Sequence, residues 1–149
     1  MTVEHERPET AAEVVRVDLS PGPHAPGDAR RATREVLGRW ELPALVDRVV
    51  LVVSELVTNS VRYGRPPLRL DLRRLRGSVR VDVHDTVEQE PPLRGRTAVD
   101  ADHESGRGLF IVSAVADEVG VEQVPGHGKH VYASFDTSCA GTVDASGDG

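Results

Sequence analysis

The chain contains 149 residues, which is enough for one domain that buries roughly two-thirds of the surface of its unfolded form. Its formal net charge of −6 argues against a general nucleic-acid binder, because such proteins normally present a basic surface. No apolar run is long enough to cross a membrane, and the acidic, polar N-terminus is unlike a signal peptide.

The first half of the chain predicts one strand followed by two helices. Residues 1–11 are charged and lack periodicity, so we predict a disordered lead-in. The next segment, "AEVVRVDLS", alternates polar and apolar residues as a strand does, and the breaker cluster "PGPHAPGD" ends it. Asp28 is a candidate N-cap for a first helix, and Pro43 separates it from a second helix over residues 46–63, whose valines and leucines recur at helical spacing.

The second half predicts two hairpins separated by a loop and a third helix. Two alternating runs, "LRLDLRRL" and "SVRVDVHD", flank Arg76-Gly77 and predict a hairpin. Residues 86–105 have almost no apolar periodicity, so we predict a long loop, which in a compact domain is usually a functional lid or disordered. A third helix is predicted for "GRGLFIVSAVADEVG", with Gly120 as its C-cap, and a closing hairpin for "VEQV" and "KHVYASF". Residues 137–149 predict a disordered tail.

This order of elements predicts an α/β fold over residues 12–136. Three helices grouped over one face of a mainly antiparallel sheet form a two-layer sandwich. The predicted strands alternate polar and apolar side chains, as expected when one face of the sheet meets helices and the other meets water.

The second helix carries two polar residues in an otherwise apolar stretch. Glu55 and Asn59 are four positions apart, so their side chains project from one face of the helix. A solvated polar stripe is the commoner explanation of such a pair. Asparagine is nevertheless a poor helix former, and a carboxylate beside a neutral oxygen ligand suits a hard cation such as Mg²⁺.

A glycine motif, "ESGRGLFIV", stands at the start of the third predicted helix. Gly106 and Gly108 flank Arg107, and glycines at a helix start allow backbone N–H groups to meet an anion, which the helix dipole also favours. The motif is neither a Walker loop nor a dinucleotide fingerprint, since the required lysine and third glycine are missing. An ordinary loop-to-helix turn explains the two glycines equally well. After a long loop, however, the arrangement is that of a lid over a phosphate chain.

Two further segments carry candidate binding residues. Asp85 ends a predicted strand, where its carboxylate either accepts a hydrogen bond from an exocyclic amine such as that of adenine or caps a turn. The glycine turn "GHGKH" contains Lys129, the only lysine of the chain. His127 and His130 are spaced like a metal-binding pair, but we expect both to be solvent-exposed because no carboxylate or cysteine partner is evident.

Together and in this order, these segments resemble the ATP-binding domain of the gyrase, Hsp90, histidine-kinase and MutL superfamily, and most closely the small bacterial anti-sigma-factor serine kinases. The resemblance extends from residue 28 to residue 136. "SELVTNSVRYG" is similar to the N-box of that family, "ESGRGLFIV" to its G2 box, and Asp85 in part to its G1 box. The resemblance implies the Bergerat ATP-binding fold and makes residues 12–136 an ATP-binding, kinase-like domain.

The resemblance also implies roles for individual residues. Glu55 would be the general base that takes the proton from an incoming serine hydroxyl. Asn59 would bind the Mg²⁺ that bridges the phosphates of ATP, and Asp85 would contact the adenine amino group. The lid that wraps the phosphates would contain Gly106, Arg107, Gly108 and Leu109. Lys129 would lie near the same phosphates.

The function implied by the resemblance is that of a cytoplasmic protein serine kinase in a partner-switching system. Such a kinase uses Mg²⁺ and ATP to phosphorylate an anti-sigma-factor antagonist of the STAS type, and it binds a sigma factor without contacting nucleic acid or membrane directly. Homodimers are common among these kinases. The single cysteine, Cys139, excludes an intrachain disulfide and fits a reducing cytoplasm. The shortness of the chain leads us to expect a free-standing regulator.

An alternative function is that of a nucleotide-binding regulatory protein that sequesters a partner without significant kinase activity. Two departures from the family pattern favour it. Val87 stands where the G1 box usually has a small residue, and His130 stands where a threonine commonly follows the lysine. The presence of Glu55 favours the kinase, because binding alone requires no general base.

Overall fold

The computed structural model describes residues 2–6, 13–86, 111–124 and 128–137, and these residues form an α/β fold. Six strands make one sheet: β1 (Thr2–Glu6), β2 (Glu13–Leu19), β3 (Leu68–Leu75), β4 (Ser78–Asp85), β5 (Glu118–Val124) and β6 (Gly128–Asp136). Two long helices, α1 (Ala25–Arg39) and α2 (Val46–Tyr63), are joined through a short 3₁₀ turn, Pro43–Leu45. Residues 111–115 are also helical.

The sheet is antiparallel throughout, which confirms the predicted two-layer α/β sandwich. Its strand order is β1-β2-β3-β4-β6-β5, and each neighbouring pair is antiparallel. Strand β6 therefore lies between β4 and β5. This order brings the end of β4 beside the start of β6, where Asp85 and Lys129 are register partners. No helix within the described residues is long and apolar enough to cross a membrane.

The core lies between the helices and one face of the sheet. Side chains from alternate positions of adjacent strands, such as Val17, Leu70 and Val83, are register neighbours and are buried there. They pack against apolar residues of both helices and against Val112 of the helical segment 111–115. Among the described residues, Phe135 is the largest fully buried side chain. Burial of this apolar surface is what holds the two layers together.

Helix α2 occupies the predicted residues, whereas α1 begins earlier than predicted. The N-cap of α1 is His24 and a proline, Pro26, stands in its first turn, where its fixed φ suits a helix start. Asp28 therefore lies inside the first turn, and the prediction that it caps the helix was wrong. Its carboxylate accepts a hydrogen bond from Arg31 at 3.0 Å and is favourably placed near the positive end of the helix dipole.

The predicted disordered lead-in contains a strand. Residues Thr2–Glu6 form β1, which pairs with β2 so that Val3 lies opposite Val17. The prediction was wrong for these residues because an edge strand is held by backbone hydrogen bonds and need not carry an alternating pattern. The remainder of residues 1–11, and the predicted tail beyond residue 137, lie outside the described residues.

The third predicted helix ends earlier than its sequence indicated. Helical residues stop at 115, and Gly120 lies inside β5 rather than at a helix C-cap, so this prediction was wrong. Gly120 is the register partner of Tyr132, and a β-carbon at Gly120 would lie 2.5 Å from the Tyr132 Cζ atom. A side chain at this position would therefore displace the tyrosine ring of the adjacent strand.

The face of the sheet opposite the helices carries a buried network of charged residues. Asp71 and Asp82 are register partners there, and each is at most 1% exposed. Arg80 donates to both oxygens of Asp82, with its shortest contact at 2.8 Å, and to Glu122 at 2.7 Å. Further arginines approach the two aspartates: Arg16, Arg69 and Arg73. Asp71 and Asp82 are therefore covered by arginine side chains rather than by water.

His130 belongs to this network, so the expectation that it is solvent-exposed was wrong. Its Nε2 atom lies 3.0 Å from Glu122 and 3.4 Å from Asp82, and its ring lies 4.7 Å from that of His84. Donor atoms of Asp82, His84 and His130 are close enough to hold a metal ion. Arg80 already neutralises Asp82 and Glu122, however, so the carboxylates require no metal. His127 lies outside the described residues.

Candidate functional site

The C-terminal half of α2 presents Glu55 and Asn59 one helical turn apart. Both residues are half-buried, while the adjacent Leu56 and Val57 are fully buried in the core. Within the described residues, Glu55 makes no hydrogen bond or ion pair. The Nδ2 atom of Asn59 is shielded from solvent and has no hydrogen-bond partner there. A buried amide without a partner is costly, which is expected where a ligand completes the hydrogen bonding.

Asp85 and Lys129 form a buried ion pair beside this helix. The Lys129 Nζ atom lies 3.0 Å from each carboxylate oxygen of Asp85. Both residues are buried, Asp85 to 4% exposure and Lys129 to 7%. Ser60, which follows Asn59 in α2, donates a hydrogen bond to Asp85 Oδ2 at 3.3 Å. The end of α2 is thus connected to the end of β4 through side chains on the helix-facing side of the sheet.

The close approach of α2 and β4 explains why the helix ends on a glycine. A β-carbon at Gly64 would lie 2.5 Å from Asp85 Oδ2, so a larger residue would displace the carboxylate. The chain after the helix is held against β4, because Thr86 donates its N–H to the Arg65 carbonyl at 3.2 Å and its hydroxyl to Pro66 at 3.1 Å. The site therefore depends on the small size of residue 64.

A second glycine holds the start of β6 against the same strand end. Gly128 has a φ of +91°, a left-handed conformation that glycine adopts readily. A β-carbon at this position would also lie 2.5 Å from the Cα atom of Thr86. Gly128 therefore allows the first residues of β6 to lie directly against the end of β4. Of the predicted glycine turn, residues 126 and 127 lie outside the described residues, and Gly128 and Lys129 belong to β6.

The structure brings two of the predicted site residues into contact and places two others on the adjacent helix. Asp85 and Lys129 are in contact, Asn59 adjoins Ser60, and Glu55 lies one turn earlier on the same helix. The ammonium of Lys129 contacts Asp85. The sequence predicted that Asp85 contacts adenine. The predicted lid residues lie outside the described residues: Gly106, Arg107, Gly108 and Leu109, together with Val87 of the G1 box.

Two residues of this region were missed by the sequence analysis. Ser60 was not singled out, although it belongs to the N-box-like segment and follows Asn59 directly. Arg48, in the first turns of α2, donates to the Val115 carbonyl at 2.8 Å and lies over the Phe135 ring at 5.4 Å. Arg48 could have been noticed as a lone cation in an apolar stretch. Its partners could not have been predicted, because they are distant in the sequence.

Comparison with known proteins places the chain in a family. Residues 19–135 match the family model of the histidine kinase-like ATPase domain. The chain belongs to this family. A comparison with curated proteins finds no match. The match begins at the last residue of β2, so β1 and most of β2 lie outside it. As a histidine kinase-like ATPase domain, the chain is an ATP-using protein with the nucleotide-binding fold of that superfamily.

The chemistry of α2 fits the metal ion that accompanies ATP in such domains. Mg²⁺ prefers oxygen ligands and is usually held by one or two protein groups in addition to phosphate oxygens. Asn59 offers an amide oxygen, and its buried Nδ2 atom lacks a partner in the described part of the chain. Glu55 offers a carboxylate that no described cation neutralises. These residues therefore suit a metal-bound triphosphate.

Proposed function

We propose that this histidine kinase-like ATPase domain is a protein serine kinase that acts as an anti-sigma factor. It would phosphorylate an anti-sigma-factor antagonist of the STAS type on serine, and it would bind a sigma factor. The observation that carries the proposal is Glu55, a half-buried carboxylate without a hydrogen-bond or ion-pair partner among the described residues. ATP binding alone requires no such group, whereas transfer to a serine hydroxyl requires a proton acceptor.

Each residue of α2 would have a separate part in the reaction. Phosphoryl transfer depends mostly on positioning and on neutralising charge, and little on covalent chemistry by the protein. Glu55 would accept the proton of the serine hydroxyl, and Asn59 would hold Mg²⁺ through its amide oxygen. The metal, when bound, neutralises the charge of the phosphates. Gly106, Arg107, Gly108 and Leu109 would supply the lid that encloses the phosphates.

The test is a phosphotransfer assay with labelled ATP and each STAS-type antagonist of the same organism. We expect Glu55→Gln to bind ATP as the wild type does but to transfer phosphate about a hundredfold more slowly or worse. The matched control is Glu35→Gln, which makes the same chemical change on the exposed side of α1. Equal rates of phosphate transfer for Glu55→Gln and the wild type would show that Glu55 is not the general base.

A different result would favour the alternative function. If the wild type bound ATP but phosphorylated none of the antagonists, the chain would act as a nucleotide-binding regulator that sequesters its partner. Pull-down of the sigma factor and of the antagonist, each with and without ATP, would then show which partner the bound nucleotide selects. Homodimer formation is measured in the same samples by light scattering.

A further inference from the structure

The ion pair between Asp85 and Lys129 lies where the proposed site must recognise the nucleobase. Asp85 is the residue expected to contact the adenine amino group, yet both of its carboxylate oxygens already accept hydrogen bonds from Lys129 at 3.0 Å. The pair is buried, with 4% of Asp85 and 7% of Lys129 exposed. A base that approaches Asp85 therefore meets a carboxylate and an ammonium together rather than a carboxylate alone.

Displacement of Lys129 by the base is unfavourable. The small residues that surround the pair, Gly64 and Gly128, place backbone against Asp85 and leave the lysine stem buried. Within the described residues, the only hydrogen-bond acceptors of the Lys129 ammonium are the two Asp85 oxygens. Moving it away would break both charge-assisted hydrogen bonds of a buried ion pair, and this penalty exceeds what one hydrogen bond from a base returns.

An ammonium that stays in place still has a donor to offer. Lysine carries three N–H groups, and two of them are directed at the Asp85 oxygens. Ser60 also donates to the Asp85 carboxylate, at 3.3 Å, but with roughly four lone-pair positions a carboxylate accepts several hydrogen bonds at once. The pair consequently presents a hydrogen-bond acceptor and a hydrogen-bond donor side by side. This pattern is complementary to the adenine edge, where the N6 amine is a donor and the adjacent N1 atom is an acceptor.

We propose that Lys129 remains on Asp85 when ATP binds and that the pair recognises adenine jointly, with Asp85 accepting from the N6 amine and Lys129 donating to N1. This inference rests on the proposed ATP site and assigns a specificity-determining role to Lys129. It differs from the role predicted from the sequence, in which Lys129 lies near the phosphates. Guanine carries a hydrogen on N1, so the same lysine would oppose GTP in that orientation.

The test compares ATP with 1-deaza-ATP, in which a C–H group replaces N1 and the N6 amine is retained. Affinities are measured by titration calorimetry in the presence of Mg²⁺ for the wild type and for Lys129→Met, which keeps the length of the side chain without its charge. We expect the wild type to bind ATP about tenfold more tightly than 1-deaza-ATP, or more, because the analogue leaves a charged donor unpaired. In Lys129→Met the two ligands should bind equally.

Controls separate this role from a structural one. Arg34→Met removes a cation from the exposed face of α1 and should preserve the preference for ATP. If Lys129→Met does not fold, the comparison of the two ligands on the wild type alone still decides the question. Equal binding of ATP and 1-deaza-ATP by the wild type would overturn the proposal. Tighter binding of ATP by Lys129→Met than by the wild type would also overturn it, since the lysine would then be an obstacle.

The same titrations distinguish failure of this inference from failure of the proposed function. A wild type that binds ATP without preference over 1-deaza-ATP retains the proposed ATP site and loses only the role of Lys129. A wild type that binds neither ligand overturns both proposals.

Discussion

Gly64 and Asp85 lie so close together that a β-carbon at position 64 would stand 2.5 Å from the Asp85 Oδ2 atom. The same β-carbon would stand 2.7 Å from the carbonyl oxygen of Ser60, which belongs to the backbone of α2 and cannot rotate away. The φ of Gly64 is −90°, a value that any residue adopts. Glycine is therefore required here by space and not by backbone conformation.

We expect Gly64→Ala to lower the free energy of unfolding by about 1–3 kcal/mol, because the added methyl group overfills the junction of α2 and β4. Binding of ATP should weaken as well, since Asp85 must shift away from its present position. Urea denaturation and ATP titration measure the two effects. The control is Gly38→Ala in α1, where no atom lies within 4 Å of the new β-carbon. That variant should gain about 0.5–1 kcal/mol from helix propensity, and a loss of stability there would contradict the comparison.

Elements with strong periodicity could be predicted from the sequence, and those held by neighbours could not. The valines of α2 recur at helical spacing, and the predicted helix has the same ends as the observed one. The alternation in β3 and β4 likewise predicted both strands of the first hairpin. Strand β1 has no such pattern, because hydrogen bonds to β2 hold it at the edge of the sheet. Gly120 has the chemistry of a helix C-cap, but its place is decided by the Tyr132 ring on the neighbouring strand.

The candidate site was predictable residue by residue but not as an arrangement. Glu55 and Asn59 could be placed together because four positions on a helix share a face. The contact between Asp85 and Lys129 joins residues 44 positions apart, and it depends on β6 lying next to β4. The sequence predicted both strands but not their order. The sequence therefore did not predict that Lys129 contacts Asp85.

Arg48 connects α2 to the chain that follows the predicted lid. Its guanidinium donates two hydrogen bonds to the Val115 carbonyl, at 2.8 and 3.3 Å, and lies 3.7 Å from Asp117. Because this carbonyl is at the end of the helical residues 111–115, the arginine supplies the partner that a helix end lacks. We expect Arg48→Met to lower the free energy of unfolding by about 1 kcal/mol, since the arginine is partly exposed.

Hydrogen exchange shows which part of the chain loses stability in Arg48→Met. In Arg48→Met, amides of residues 111–117 should exchange faster, whereas those of β3 and β4 should change only as far as global stability changes. Arg34→Met, which removes an exposed arginine of α1, is the matched control and should leave both regions unchanged. Unaltered exchange over residues 111–117 in Arg48→Met would show that the contact adds no local stability.

Asp71 should make the stability of the fold depend on pH in the acidic range. Burial raises the pKa of Asp71, but the hydrogen bond from His84 and the charges of His84, Arg69 and Arg16 together lower it below the ordinary value of 3.8. A carboxyl whose pKa is lower in the folded state stabilises the fold above its unfolded pKa, and this contribution is lost as pH falls through the folded pKa. We expect stability to be steady between pH 5 and 7 as far as Asp71 is concerned, and to fall below about pH 4.

The variant Asp71→Asn tests whether Asp71 causes the loss of stability at acidic pH. It should lower the free energy of unfolding at pH 7 by about 1–3 kcal/mol, because charge-assisted hydrogen bonds are lost. It should also flatten the decline in stability below about pH 4, because the titrating group is gone. Asp18→Asn, an exposed position on β2, is the control and should do neither. Denaturant unfolding at a series of pH values gives both quantities. If the stability of Asp71→Asn still declined below about pH 4 as that of the wild type does, Asp71 would not be the cause of the decline.

Asn59 should show opposite effects on stability and on ligand binding. Its Nδ2 atom is buried without a partner in the described part of the chain, and asparagine is a poor helix former. In the absence of nucleotide, Asn59→Leu removes an unsatisfied polar group and improves helix propensity. We therefore expect its unfolding free energy to be unchanged or to rise by up to about 1 kcal/mol. A residue kept for folding would behave in the opposite way.

The ligand arm of the same experiment uses thermal unfolding with ATP, with and without Mg²⁺. A ligand that binds only the folded state raises the melting temperature, and the rise grows with the logarithm of its affinity, so the wild type should be stabilised by ATP and further by the metal. Asn59→Leu should lose the increment that depends on Mg²⁺, because a leucine offers no oxygen ligand. If the variant kept that increment, Asn59 would not hold the metal. If it were destabilised without nucleotide, the amide would serve the fold, and the unpartnered Nδ2 atom would no longer indicate a binding site.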